Sequence, residues 1–142
     1  MSCIPQCSSE LDGISKSDLD RFTDSIENLL SNEAGRRLFR HFLTKCKFKN
    51  GKRVLDTYEK IIAQLNNDSK TITSDIVCDI LDDIDRIDAF DFAVAEKMGL
   101  AIEAGANSED LKTDLALARN ECVKILRHDY EIFRKHYSKK SS

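Results

Sequence analysis

The sequence predicts an all-α protein: one domain folded as a helical bundle. Three observations predict it. The 142 residues hold one proline, Pro5, and five glycines, so little interrupts a helix after the first dozen positions. Apolar residues recur three and four apart along most of the chain, the spacing of a helix with one buried face. Ser, Thr, Asn and Asp stand where such stretches begin, the residues that cap orphan backbone N–H groups. Hydrophobic residues make up 41% and charged residues 33%, enough apolar surface for a core and too much for a disordered chain.

Residues 1–14, rich in Ser, Cys, Pro, Gln and Gly and without periodicity, read as a flexible leader before a helical domain over 15–138, with a frayed tail over 139–142. Ser15 or Ser17 can cap the first helix, with Asp18 and Asp20 in its first turn. Leu19, Phe22, Ile26, Leu29 and Leu30 read as its single apolar stripe. Ser31 or Asn32 can cap the next helix, which buries Leu38, Phe39, Phe42 and Leu43. Residues 47–52 read as a turn because Asn50-Gly51 is the strongest turn signal in the chain.

A third helix runs from about Lys52 to Leu65 through Val54, Leu55, Tyr58, Ile61 and Ile62, and Asn66-Asn67-Asp68-Ser69 ends it. Thr73 or Ser74 caps a fourth, carrying Ile76, Val77, Ile80, Leu81 and Ile84, which continues or bends near Ile87 and Asp88. The apolar run Phe90 to Ile102 reads as a central helix with Gly105 as its C-terminal stop. Ser108 then caps a long helix with Leu111, Leu115, Ala118, Cys122, Ile125 and Leu126 inward, and Tyr130, Phe133 and Tyr137 read as a short terminal helix.

The net charge of −3 points to neither nucleic acid nor an acidic membrane. Its distribution is uneven. Arg36–Lys60 holds nine Lys/Arg against Asp56 and Glu59, whereas Asp75–Glu96 holds eight Asp/Glu against Arg86. Two readings follow: helix faces of opposite sign that attract each other within the fold, or a basic surface for an acidic partner. The basic stretch Lys45 to Arg53 contains Phe48, which either anchors the stretch to the core or stacks on a ligand.

Five cysteines, Cys3, Cys7, Cys46, Cys78 and Cys122, lack a framework spacing and suit a reducing, cytoplasmic setting. Cys3 and Cys7 are candidate acylation sites, which would allow peripheral membrane contact. No metal or other cofactor is expected. The histidines, His41, His128 and His136, lack the i, i+4 spacing that aims two imidazoles at one metal. The acidic run Asp75, Asp79, Asp82, Asp83, Asp85, Asp88, Asp91 interleaves with apolar residues in helical phase and lacks the central Gly of a calcium loop. No phosphate-cradling loop and no Ser/His/Asp set stands out, so the chain does not read as an enzyme.

Three segments together resemble the RGS-homology domain, the helical domain of regulators of G-protein signalling. The first is Leu29-Leu30-Ser31-Asn32-Glu33-Ala34-Gly35-Arg36-Arg37-Leu38-Phe39-Arg40-His41-Phe42-Leu43, similar above all to the form found in receptor kinases. The second is Val54-Leu55-Asp56-Thr57-Tyr58-Glu59-Lys60-Ile61, and the third runs from Ala118-Arg119 to His136-Tyr137 with its Tyr-x-x-Phe step. Order and spacing fit over residues 18–138.

The resemblance implies a protein-binding signalling or scaffold module whose partner is another protein, a Gα subunit or a scaffold component. Members that accelerate GTP hydrolysis hold the switch segments of Gα in the shape of the transition state and donate no nucleophile. They use an Asn and a Glu before the second segment and a mixed face on the last long helix. Here Asn50, Gly51 and Lys52 fall where the family has Glu-Asn-Ile, and Lys124, His128 and Ile132 fall where it has an apolar residue, an acid and an arginine. A docking role, as in the RGS-homology domains of axin and receptor kinases, therefore fits better than GTPase activation. The expected protein-binding residues are Lys49, Asn50, Lys52, Arg53, Lys124, His128 and Ile132.

Three alternatives stand beside this reading. One is a true Gα GTPase-activating regulator. Another is a bundle enclosing a small apolar ligand among Phe90, Phe92, Met98 and Leu100. The last is an enzyme subunit whose site another chain completes.

Overall fold

The computed structural model describes Leu11, residues 13–67 and residues 69–141, with Lys139 to Ser141 described by backbone alone. Cys3 and Cys7, and with them the acylation reading, lie outside the described residues. The protein is all-α. Among the described residues there are seven helices and no strand: α1 (Lys16–Asp24), α2 (Ile26–Leu30), α3 (Glu33–Lys45), α4 (Lys49–Leu65), α5 (Ser74–Ile84), α6 (Phe92–Glu103) and α7 (Ser108–Ser141). No helix there is long and apolar enough to cross a membrane.

The chain divides into two compact units. The first joins both ends of the sequence, residues up to Lys52 and residues from Leu126 onward. The second is the middle, Arg53–Ile125. Helices α4 and α7 each contribute to both.

In the first unit the caps set the helix starts. The Ser15 hydroxyl accepts the Asp18 N–H at 3.0 Å, and the Asn32 side chain accepts the Gly35 N–H at 3.1 Å. The apolar stripe Leu19 to Leu30 is split, because Ser25 adopts an extended backbone and its hydroxyl caps α2 through the Asn28 N–H at 3.1 Å. A short polar side chain that offers a better partner than the next turn ends one helix and starts another. Gly35 then lies against the end of α2: a Cβ there would meet the Leu29 carbonyl oxygen at 2.5 Å and the Phe22 ring at 3.1 Å. The glycine eases a tight helix junction.

The core of this unit is aromatic. Phe39 and Phe42 of α3 meet Phe133 of α7 edge-on, with ring centroids 5.3 and 5.5 Å apart. Phe39 also meets Tyr130 at 6.5 Å, and Phe42 meets Tyr137 at 6.2 Å. The Tyr130 hydroxyl donates to the Phe22 carbonyl at 2.8 Å, and Arg134 Nε donates to the Thr23 carbonyl at 3.1 Å. Two side chains one turn apart on α7 thereby take up carbonyls from the end of α1, which the helix itself cannot satisfy. Tyr130, Phe133 and Tyr137 belong to one unbroken helix that begins at Ser108, and not to a short separate one.

In the second unit α5 is capped by Thr73, whose hydroxyl accepts the Ile76 N–H at 3.3 Å, and buries Val77, Ile80 and Ile84. It stops at Ile84 and does not continue past Ile87: Ala89 takes a positive φ of 70°, which no helix tolerates, and Asp91 caps α6. Gly105, at φ 67°, follows α6 as its left-handed stop. Asn107 and not Ser108 caps α7, accepting the Asp110 N–H at 2.9 Å. The Ser108 hydroxyl is instead used at long range, accepting the Ile72 N–H at 2.8 Å.

The predicted central helix is not central. Met98 alone among the residues of α6 is buried, while Phe92 is 75% exposed and Leu100 58%. Phe90 is half-buried, so Phe90, Phe92, Met98 and Leu100 do not wall one closed cavity. Apolar content identified the helix but carried no phase to aim it.

Candidate functional site

The basic stretch predicted as a turn is shorter than expected and mostly helical. Alpha-3 ends at Lys45, with Cys46 as its C-cap. Lys47 takes φ 60°, and the chain reverses there: the Phe48 N–H donates to the Leu43 carbonyl at 2.9 Å. Phe48 anchors the reversal, its ring 6.1 Å from that of Phe42. Helix α4 already begins at Lys49, so Asn50-Gly51 forms its first turn and not a loop.

Gly51 is in helical phase because Asp129 of α7 stands where its Cβ would be, with Leu43 Cδ2 at 3.1 Å behind it. The absent side chain lets a carboxylate approach the start of a helix, where partial positive charge and free N–H groups favour an anion. Burial nevertheless pushes the Asp129 carboxyl above its ordinary range, against the opposing pull of His128 beside it.

This contact assembles part of the predicted site. It brings the α4 turn of Lys49, Asn50 and Lys52 up to the stretch of α7 that holds His128 and, one turn beyond Asp129, Ile132. Lys45, Lys47, Lys49 and Lys52 are all exposed, as is His128, while Asn50 and Ile132 are half-buried. Arg53 and Lys124, both exposed, belong to the second unit. Asp129 was not singled out from the sequence. Its only mark in the sequence is Gly51, which reads as part of a turn until the carboxylate is set against it.

In the second unit the opposite charges pair. Lys60 of α4 donates to Asp79 at 3.0 Å and to Asp83 at 2.5 Å on α5, and these two carboxylates hold its ammonium above the ordinary lysine range. Arg86 adds a 3.4 Å contact to Asp83. Arg53, Asp56, Thr57, Lys60, Asp83 and Arg86 line an open cleft of about 340 Å³. Its charges are mixed, and Lys60 and Arg86 already have carboxylate partners. Among the described residues no group of three or more His, Cys, Asp or Glu side chains could hold a metal ion.

No family model, curated protein or solved structure matches the chain. The functional reading therefore rests on the residues themselves.

Among the described residues Cys46 and Cys122 are buried and Cys78 is exposed. Burial pushes the Cys122 thiol up to about 12, reinforced by the Glu121 carboxylate, which leaves it an apolar core group and a poor nucleophile.

Proposed function

We propose that this chain is a protein-binding signalling or scaffold module of RGS-like fold, without strong GTPase-activating activity. One observation carries the reading. The aromatic residues on which the resemblance rests come from opposite ends of the sequence, Phe39 and Phe42 against Tyr130 and Phe133, and they share one core. That grouping gives the first and third matched segments a common structural purpose, as a common fold requires.

The same geometry argues against GTPase activation. The family's stabilising asparagine falls at Gly51, which offers no side chain and is buried against Asp129. Asn50, half-buried, stands where the family uses an acid, Lys52 is a cation where it uses an apolar residue, and Lys49 adds a second positive charge beside them. A surface so composed can attract an acidic segment of a partner but cannot hold the switch segments in a strained shape. A reducing, intracellular setting goes with this reading.

Single-turnover GTP hydrolysis by a panel of Gα subunits tests it. The expected rate with this protein stays within about twofold of Gα alone, against the orders of magnitude that transition-state stabilisation supplies. An acceleration of a hundredfold or so would make the chain a true regulator. Reversal of Lys49 and Lys52 to Glu should weaken capture of an acidic partner, and unchanged capture would remove the basic surface from the proposal.

A further inference from the structure

Helix α6 presents a face that its own fold leaves uncovered. Met98 points into the second unit, with Val94, Ala95, Ala101 and Ile102 half-buried beside it. On the opposite side lie Phe92, Glu96, Leu100 and Glu103, all exposed and all within about a quarter turn of one another at 100° per residue. Phe92 and Leu100 are eight residues apart, about 12 Å along the axis, with Glu96 midway between them. Isolated exposed apolar residues are common, but two large ones on one helical stripe, with one carboxylate between them and another just beyond, form a pattern.

Two further observations say what would cover it. The first is charge. Lys97 is the one cation in α6, and it lies 3.6 Å from Asp114, a buried carboxylate of α7. Its charge is used within the fold, which leaves Glu96 and Glu103 to set the sign of the face. The second is Gly99. A glycine inside a helix costs about 1 kcal/mol relative to alanine. A Cβ at Gly99 would have nothing within 4 Å, so nothing among the described residues requires the gap. Gly99 lies on the same stripe, two turns along from Phe92 and between Glu96 and Glu103, and makes a flat place where a second backbone can come close. Leu100 also borders a shallow cleft of about 360 Å³ with Ala101, Ala106 and Thr113.

We infer that α6 is a docking face for a basic amphipathic helix of a partner protein. Two apolar side chains of that helix, seven or eight residues apart, would pack on Phe92 and Leu100. A Lys or Arg between them would meet Glu96, with Glu103 adding its negative charge just beyond Leu100, and a small residue would cross at Gly99. This is helix-on-helix recognition by spaced anchors, with charge fixing partner choice and register. It is separate from the RGS-like reading: the Gα experiments can fail in either direction without touching it.

The test uses the full chain and a fluorescent synthetic helix of about 18 residues, five turns. It carries leucines at i and i+7, lysines between them and alanine elsewhere. Controls are a scrambled peptide of the same composition and one with Glu in place of Lys. Binding should weaken about tenfold or more for either control and for the Phe92→Ser/Leu100→Ser variant, as expected when central anchors are lost. Glu96→Gln/Glu103→Gln should weaken it and flatten its salt dependence. Gly99→Leu should weaken it while the thermal midpoint holds or rises, a combination that a purely structural role for the glycine would not give. Equal binding of the scrambled peptide, or unchanged binding by the face variants at unchanged midpoint, would overturn the inference. So would self-association of the unmodified chain that Leu100→Ser abolishes, which would make the occupant a second copy. Phe92-dependent binding to vesicles in place of the peptide would do the same.

Discussion

Phe133 and Phe92 are the same residue type put to opposite uses. Phe133 is fully buried, touching Phe39, Phe42, Tyr130 and Tyr137, in the unit that joins the two chain ends. Phe92 is 75% exposed at the start of α6, in the unit built from the middle of the chain. The first unit closes on an aromatic core. The second pairs charges across its surface and leaves one apolar stripe open. Burial within the chain accounts for the first pattern, and the docking face we infer would account for the second.

Truncating the two rings is the strongest way to break this contrast. Phe133→Ala should cost about 3–5 kcal/mol in urea unfolding, the range for removing a buried aromatic side chain. Phe92→Ala should change stability by no more than about 0.5 kcal/mol, as for an exposed site. Similar losses at both positions would mean that α6 packs against its own chain.

Two of the helical glycines, Gly35 and Gly99, sharpen the same point. Gly35→Ala drives a methyl into the Leu29 carbonyl oxygen, a backbone atom that cannot step aside, and should cost about 1–3 kcal/mol. Gly99→Ala meets open space and should stabilise by up to about 1 kcal/mol through helix propensity alone. Thermal midpoints of the two variants should move in opposite directions.

A smaller effect concerns Tyr130. Tyr130→Phe removes the hydrogen bond to the Phe22 carbonyl and should cost about 1 kcal/mol. Burial also pushes the phenol from 10.0 up to about 12. A raised pKa means that the folded state holds its proton longer. The contribution is therefore complete below pH 10 and falls away as the pH rises towards 12. The variant should show a shallower alkaline loss of stability over that window than the parent.

The mildest test is chemical. Cys78 is exposed and should react with a maleimide in the native state, whereas Cys122 should react only on unfolding. Peptide mapping after a short exposure distinguishes them. Rapid labelling of Cys122 would show that the core around it opens easily.

Much of the fold was legible because its signals are local. The caps Ser15, Asn32 and Thr73, the stop at Gly105 and the inward faces of α3, α4 and α5 depend on residues within one or two turns of each other. The errors came where a local signal had a distant cause. Asn50-Gly51 reads as a turn until Asp129 is set against it, and Ser108 reads as a cap until its hydroxyl is seen serving Ile72. The candidate docking residues Lys49, Asn50, Lys52, His128 and Ile132 were named from the sequence, but their meeting place is set by Asp129, which was not.

By itself the sequence determined the all-α class, most of the helix caps and the opposite signs of the Arg36–Lys60 and Asp75–Glu96 stretches. Only the tertiary structure decided that Phe39 and Phe42 meet Phe133, that Lys60 is held by Asp79 and Asp83, and that α6 turns Phe92 and Leu100 outward. The reason is one of range. Helix propensity and capping act across a few neighbouring residues, whereas the partner of each face is fixed by contacts between segments as much as 111 residues apart.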